Sequence, residues 1–252
     1  MKILITGGSS DIARAIAKRR VHLGDEVIIT SSSESSLKQT LRSYQEAGMK
    51  IDGFVFDFAR PEKSSTALQA VLKKGLDAVI FNAFTRVDKL RRLDEHSFSD
   101  ISRYIQENVC GNIWLAQQIL PTLCRASFGR LVLISSISAA IGTPNYPAYC
   151  AAKGALESLF LNIAVDYAEE GILSNILRLG LFKTTRTERF WAKPAYEARA
   201  AEYILQGKLG DPAQAAEALD PLLSATSYIN CSVITVGGGL SFARAGRRRS
   251  KK

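Results

Sequence analysis

The chain lacks any apolar run near the about 18–20 residues that a membrane span requires, so no membrane-crossing helix is expected. It has two histidines, His22 and His96, and they stand alone; no metal site is expected from them. Its four cysteines, Cys110, Cys124, Cys150 and Cys231, show neither CxxC nor zinc-finger spacing. They read as reduced, mostly buried thiols rather than a disulfide framework. No Pro/Gly/Ser-rich linker and no internal repeat divides the sequence. The stretch Met1–Thr6 before Gly7 is too short for a secretory leader, and a cytoplasmic location is expected. Acidic residues are outnumbered, and the formal net charge is +9. Five of those charges, Arg247, Arg248, Arg249, Lys251 and Lys252, crowd the last six residues, and the body without them carries +4. The segment 243–252 reads as a solvated, disordered tail, and no nucleic-acid partner is inferred.

What is present is a core. With 252 residues and 46% apolar composition, one domain over 1–242 is feasible without staples. Short apolar runs at 2–6, 26–30, 51–56, 76–81, 129–135, 172–178 and 232–236 read as strands. Helical patterns fill the gaps at 11–23, 35–47, 96–126 and 148–170, with Pro121 expected to kink the third. Strands of continuous apolar character alternating with helices imply a parallel sheet covered on both faces. Right-handed crossovers make it a doubly wound α/β (Rossmann) fold of seven strands.

Thr6-Gly7-Gly8-Ser9-Ser10-Asp11-Ile12-Ala13 falls where the first strand turns into the first helix. Glycine there lets the backbone approach a pyrophosphate, and a helix N-terminus supplies free N–H donors and positive potential. Asp11 is expected to cap the helix.

Tyr149 and Lys153 are four residues apart and share a helix face. They follow the fifth strand, which ends at Ser135-Ser136, and sites in open parallel sheets lie at that strand edge. A phenol of pKa ~10 is a poor acid or base at neutral pH. A cation about 4 Å away is worth ~4 kcal/mol at an effective dielectric near 20, roughly three pKa units. On that arithmetic Lys153 brings Tyr149 near 7, where it exchanges a proton with a carbonyl or alcohol oxygen held by Ser136.

These segments resemble the short-chain dehydrogenase/reductase family. The resemblance spans about residues 2–242 and rests on the loop written TGxxxGxG and on an Asn-Ser-Tyr-Lys tetrad. It implies that Tyr149 is the acid/base, that Ser136 orients the substrate carbonyl and that Lys153 binds the nicotinamide ribose. Asn108, in Glu107-Asn108-Val109-Cys110-Gly111, then supports a proton-relay water. The dinucleotide contacts it implies are Thr6, Gly7, Ser9, Ser10, Asp11 and Ile12 in the loop, and Asn82-Ala83 in the place of NNAG. They continue with Ser31 and Ser32 after the second strand, Asp57 and Phe58 after the third, and Gly180 and Thr184 after the sixth. Asp11 and Ala13 stand where the family writes glycines, and Phe84 replaces another beside the nicotinamide. A homodimer or homotetramer is implied as well.

No carboxylate stands at the end of the second strand, so NADP(H) is favoured over NAD(H). The expected reaction is NADPH-dependent reduction of a small-molecule ketone to an alcohol. The alternatives are an NAD-dependent alcohol dehydrogenase and a dinucleotide-binding scaffold without catalysis, the latter motivated by Asp11, Ala13 and Phe84. The segment Lys183–Lys208 is the expected substrate region. Its Arg186, Arg189, Phe190, Trp191 and Tyr196 fit either an anionic or planar substrate or an amphipathic lid with solvated arginines. Glu169-Glu170 argues against a substrate docked on an acidic carrier protein.

Overall fold

The apolar runs assemble into one sheet. A computed structural model describes residues 1–87, 90–126 and 128–240; the basic segment 243–252 lies outside them. The strands are β1 (Lys2–Ile5), β2 (Glu26–Ser31), β3 (Asp52–Val55), β4 (Ala78–Phe81), β5 (Gly129–Ser136), β6 (Ile172–Leu179) and β7 (Val233–Val236). They pair in the order β3-β2-β1-β4-β5-β6-β7, every pairing parallel. The expected strands lie within two residues of these bounds.

Alternation along each strand sorts the side chains onto two faces. Leu4, Ile28, Val79, Phe81, Leu131 and Leu133 point to one, and pack with Leu115, Ile119 and Leu123 of α5 (Gly111–Ala126) and Leu156, Phe160 and Ile163 of α6 (Pro147–Asp166). Ile3, Ile5, Val27, Ile29, Ala78, Ile80, Val132 and Ile134 point to the other. They meet Ile12 and Ile16 of α1 (Asp11–His22), Leu37 and Tyr44 of α2 (Glu34–Glu46), and the C-terminal pair α8 (Pro212–Glu217) and α9 (Asp220–Leu223).

Three helices went unread in the sequence: α3 (Ser65–Leu72) and the short α8 and α9. The expected helix over 96–126 is α4 (Phe98–Ile105) and α5 joined by a π-helical turn, Gln106–Cys110. The irregularity thus falls at that turn, and α5 runs through Pro121. Helix α6 stops at Asp166, short of 170, and the chain reverses at Gly171, whose φ is +78°. The remaining helix, α7 (Pro194–Ala201), lies in the expected substrate segment.

Gly111 opens α5 against the loop after β3. A Cβ there would lie 2.4 Å from the carbonyl oxygen of Phe58, a backbone atom that cannot swing away. Alanine normally gains a helix about 1 kcal/mol over glycine. Here the clash reverses the sign, and Gly111→Ala is expected to destabilise by about 1–3 kcal/mol. A thermal melt with unchanged or raised Tm would contradict that close approach.

The cysteines depart from expectation. All four are unpaired, but Cys110, Cys124 and Cys150 are only half-buried and Cys231 is exposed. They lie on helix flanks and in the turn before β7 rather than in the sheet core. His22 ends α1 in solvent and His96 is half-buried. Among the described residues no group of His, Cys, Asp and Glu could hold a metal, and no helix is long and apolar enough to cross a membrane.

Candidate active site

Strands β1 and β4 are neighbours whose following connections leave in opposite directions, which opens a crevice at their C-terminal ends. A cleft of about 1630 Å³ fills it. Every residue named in the sequence as a catalytic or dinucleotide-contacting candidate lines that cleft except Thr6, which lies fully buried beneath it. Of the aromatic and basic residues of the segment after β6, Arg186, Arg189 and Phe190 line it and Trp191 and Tyr196 do not.

Thr6 is a fastener. Its Oγ1 accepts the N–H groups of Asn82 and Ala83, both at 2.9 Å, and so clamps the end of β1 to the end of β4. Asn82 Nδ2 returns the contact, donating to the carbonyls of Thr6 and Gly7 and to Ser10 Oγ at 2.9–3.2 Å. Gly7 takes φ +69°, and a Cβ there would lie 2.9 Å from Ala83 Cα, so glycine is required. Two residues that sequence reasoning missed hold the loop from below. Thr30 Oγ1 accepts the Gly7 N–H at 3.1 Å, and the Tyr44 hydroxyl donates to Gly8 O at 2.7 Å. The only signal for Tyr44 was its place on the apolar face of α2.

The cap of α1 is Ser10, whose Oγ accepts from Ala13 N at 3.1 Å; Asp11 is the first helical residue and not the cap. The helix starts one residue earlier than its carboxylate suggested. Freed from capping, Asp11 reaches across the cleft and accepts the N–H of Thr185 at 2.8 Å. It thereby ties the loop after β1 to the segment after β6.

On the other side, β5 delivers Ser136 and α6 delivers Tyr149 and Lys153. Asn145, in the left-handed region at φ 66°, turns the chain into Pro147, which opens α6. Tyr149 and Ser136 both line the cleft, and the serine is near enough to act on the phenol. Burial pushes the phenol above its usual value, while Ser136 and the Arg186 guanidinium oppose the rise. Lys153 does not supply the expected push. Its Nζ donates to Ile134 O at 2.8 Å and lies 3.8 Å from the centre of the Phe84 ring, but 6.0 Å from that of Tyr149. Phe84 packs edge-on against Tyr149 at 5.4 Å, so the aromatic that replaces a glycine takes the ammonium for itself.

Burial, and secondarily Arg186, pushes Lys153 down from 10.5 to about 7, against an opposing pull from Glu157. Between those values the unfolded chain holds the extra proton, so Lys153 costs stability below pH about 7 and that cost fades as pH rises towards 10.5. Lys153→Met should be more stable than wild type at about pH 6, with the gap closing by about pH 10 in urea melts. A gap independent of pH would mean that the lysine keeps its charge throughout.

Asn108 sits in the π turn, a feature that often marks functional positions. Its Oδ1 accepts the Thr85 N–H at 2.8 Å and its Nδ2 donates to Thr85 Oγ1 and to Tyr104 O. These bonds pin the loop after β4, and they differ from the water-holding role expected of the side chain. At the far end of the cleft Ser31 Oγ donates to Ser36 Oγ, and Asp57 pairs with Arg60.

A dinucleotide fits this cleft on the structure's own terms: a glycine loop under a helix N-terminus, and at the base of the cleft a buried Ser135 hydroxyl with no partner among the described residues. The sequence was then compared with known families. The model of the short chain dehydrogenase family matches residues 1–195. The chain belongs to that family. It is an oxidoreductase enzyme. A tropinone reductase homologue of Arabidopsis thaliana is 28% identical over 244 residues, which covers 96% of this chain and 93% of that protein. Dehydrogenase/reductase SDR family member 4 of Rattus norvegicus is 27% identical, covering 94% and 85%. Among solved structures, ElxO with NADP bound superposes with a TM-score of 0.83 at 26% identity, over 95% of this chain and 98% of that one. In this short chain dehydrogenase Asp11 bonds the Thr185 N–H and the Phe84 ring lies beside Lys153.

Proposed function

We propose that the protein is an NADPH-dependent reductase of small-molecule ketones, with Tyr149 as proton donor. The observation that carries this is the convergence in one cleft of Ser136 from the C-terminal end of β5 with Tyr149 and Lys153 from the first turns of α6. When bound, a nicotinamide dinucleotide would supply the hydride, with its two electrons, that the carbonyl carbon receives. Ser136 orients the carbonyl oxygen, and the Tyr149 hydroxyl transfers its proton to that oxygen as the C=O bond becomes a C–O–H alcohol. Lys153, beside both Phe84 and the floor of the cleft, is placed to hold the ribose of the nicotinamide. Asn108 keeps the post-β4 loop in place.

Gly7, Ser9, Ser10, Asp11 and Ile12 would frame the pyrophosphate, with Thr6 fastening their loop from beneath, and Gly180 and Thr184 would meet the carboxamide. Asn82 and Ala83 flank the nicotinamide ribose, while Asp57 and Phe58 take the adenine. Ser31 and Ser32 present hydroxyls and no carboxylate at the adenosine ribose, at the N-terminus of α2, which supports NADP over NAD. The NADP complex of ElxO supports the same choice. Exposed Phe98 on α4 and Val165 on α6 support a homo-oligomer. Four free thiols support a reducing compartment such as the cytoplasm.

Calorimetric titration with NADPH and NADH tests the cofactor. NADPH is expected to bind at least tenfold tighter, about 1.4 kcal/mol. Tighter NADH would overturn the preference, and no binding of either would overturn the reductase reading.

A further inference from the structure

The segment after β6 carries two arginines into the cleft, and both are anchored on residues that touch the Tyr149 ring. Arg186 donates to the carbonyl oxygen of Phe84 at 2.5 Å, and the Phe84 ring lies 5.4 Å from that of Tyr149. Arg189 donates to the hydroxyl of Tyr146, whose ring lies 5.8 Å from Tyr149. Arg186 is near enough to act electrostatically on both Tyr149 and Lys153. Among the described residues the ion pair of this segment joins Lys183 to Glu197, and neither Arg186 nor Arg189 has a carboxylate partner.

Two guanidiniums without counter-ions, held about one aromatic ring from a proton-donating phenol, raise the positive potential where a substrate must enter. Among the described residues none of the carboxylates along the cleft pairs with either arginine: Asp11 accepts the Thr185 N–H and Asp57 pairs with Arg60, while Glu107 and Glu188 line it without an ion pair to either arginine. A guanidinium with free N–H groups is suited to a planar oxyanion, which it can grip through two parallel bonds.

We infer that the substrate is an oxo acid: a ketone with a carboxylate a few bonds from the carbonyl, gripped by Arg186 and Arg189 while the carbonyl oxygen faces Tyr149. This rests on the ketone-reductase reading and names its substrate class. The reaction takes a hydride from NADPH to the carbonyl carbon and a proton from Tyr149 to its oxygen, and yields the hydroxy acid and NADP+. The carboxylate is unchanged throughout and serves only as a handle.

The test is a matched panel: 2-oxopentanoate and 4-oxopentanoate, their methyl esters, and 2-pentanone as uncharged reference, each assayed with NADPH and with NADH. At least one acid is expected to exceed its ester in kcat/KM by roughly ten- to a hundredfold, the range of charged hydrogen bonds. In Arg186→Gln and Arg189→Gln that ratio should collapse towards one, with NADPH affinity held within about threefold. Esters or 2-pentanone used as well as the acids would overturn the inference and leave the reductase reading standing. Arginine variants that lose NADPH affinity while keeping the acid-to-ester ratio would also overturn it, since the guanidiniums would then serve the dinucleotide. No turnover of any compound with either cofactor would remove the reductase reading itself, and this inference with it.

Discussion

Tyr149→Phe should lower kcat for ketone reduction by about 10²–10⁴-fold, the usual contribution of a positioned general acid. The substitution keeps the ring that packs on Phe84 and Tyr146 and removes only the hydroxyl. Folding and NADPH affinity should therefore survive, and a titration of the variant should give a dissociation constant within about threefold of wild type. A variant that retained more than about a tenth of the rate would put the proton elsewhere.

The pH dependence follows from the same group. Burial raises the phenol above its usual 10, so it keeps its proton throughout the neutral range. Reduction needs the protonated form, so its rate should hold steady around neutrality and fall only as the tyrosine ionises at high pH. Oxidation of the alcohol needs the phenolate and should climb over the same alkaline interval. Ser136 and Arg186 pull the value back, so Ser136→Ala and Arg186→Gln should each move both limbs to higher pH.

The strands were legible because buried parallel strands are nearly unbroken apolar runs, and Ile3–Ile5 or Leu131–Ile134 permit no other reading. The positions of Thr6, Gly7, Ser136, Tyr149 and Lys153 along one strand edge were legible too, since strand ends fix them. Illegible parts depend on contacts between residues far apart. Nothing local to Asp11 announces Thr185, 174 positions away. The spacing of Tyr149 and Lys153 gave a shared helix face, yet where the ammonium points is decided by Phe84, which comes from a different strand end. A π turn differs from an α-helix by one residue per turn, and the apolar pattern over 96–126 is too coarse to register it. Helices α8 and α9 run for six and four residues, below the length at which periodicity carries information.

Glu157→Ala should be among the most destabilising single changes, because it breaks the link between sheet and site. Arg178 on β6 is bound through two nitrogens to Glu157 on α6, with the Glu157 side chain 9% and the Arg178 side chain 20% exposed. Taking one partner from a buried pair leaves a charge without compensation and typically costs about 3–5 kcal/mol. Because Arg178 keeps some access to water, the lower end, about 3 kcal/mol, is expected by chemical denaturation. Replacing both residues with leucine should recover most of that loss, since paired apolar substitutes are often neutral or better. The carboxylate has a second effect: Glu157 lies one helical turn beyond Lys153 and is the group that pulls the lysine pKa upward. Without it the depression deepens. The pH interval over which the Lys153 cost changes should therefore extend below about 7 in Glu157→Ala, and in Lys153→Met/Glu157→Ala that extension should vanish. A loss under about 1 kcal/mol, unchanged by the double replacement, would show that the pair contributes nothing and that α6 is held to β6 by its apolar face alone.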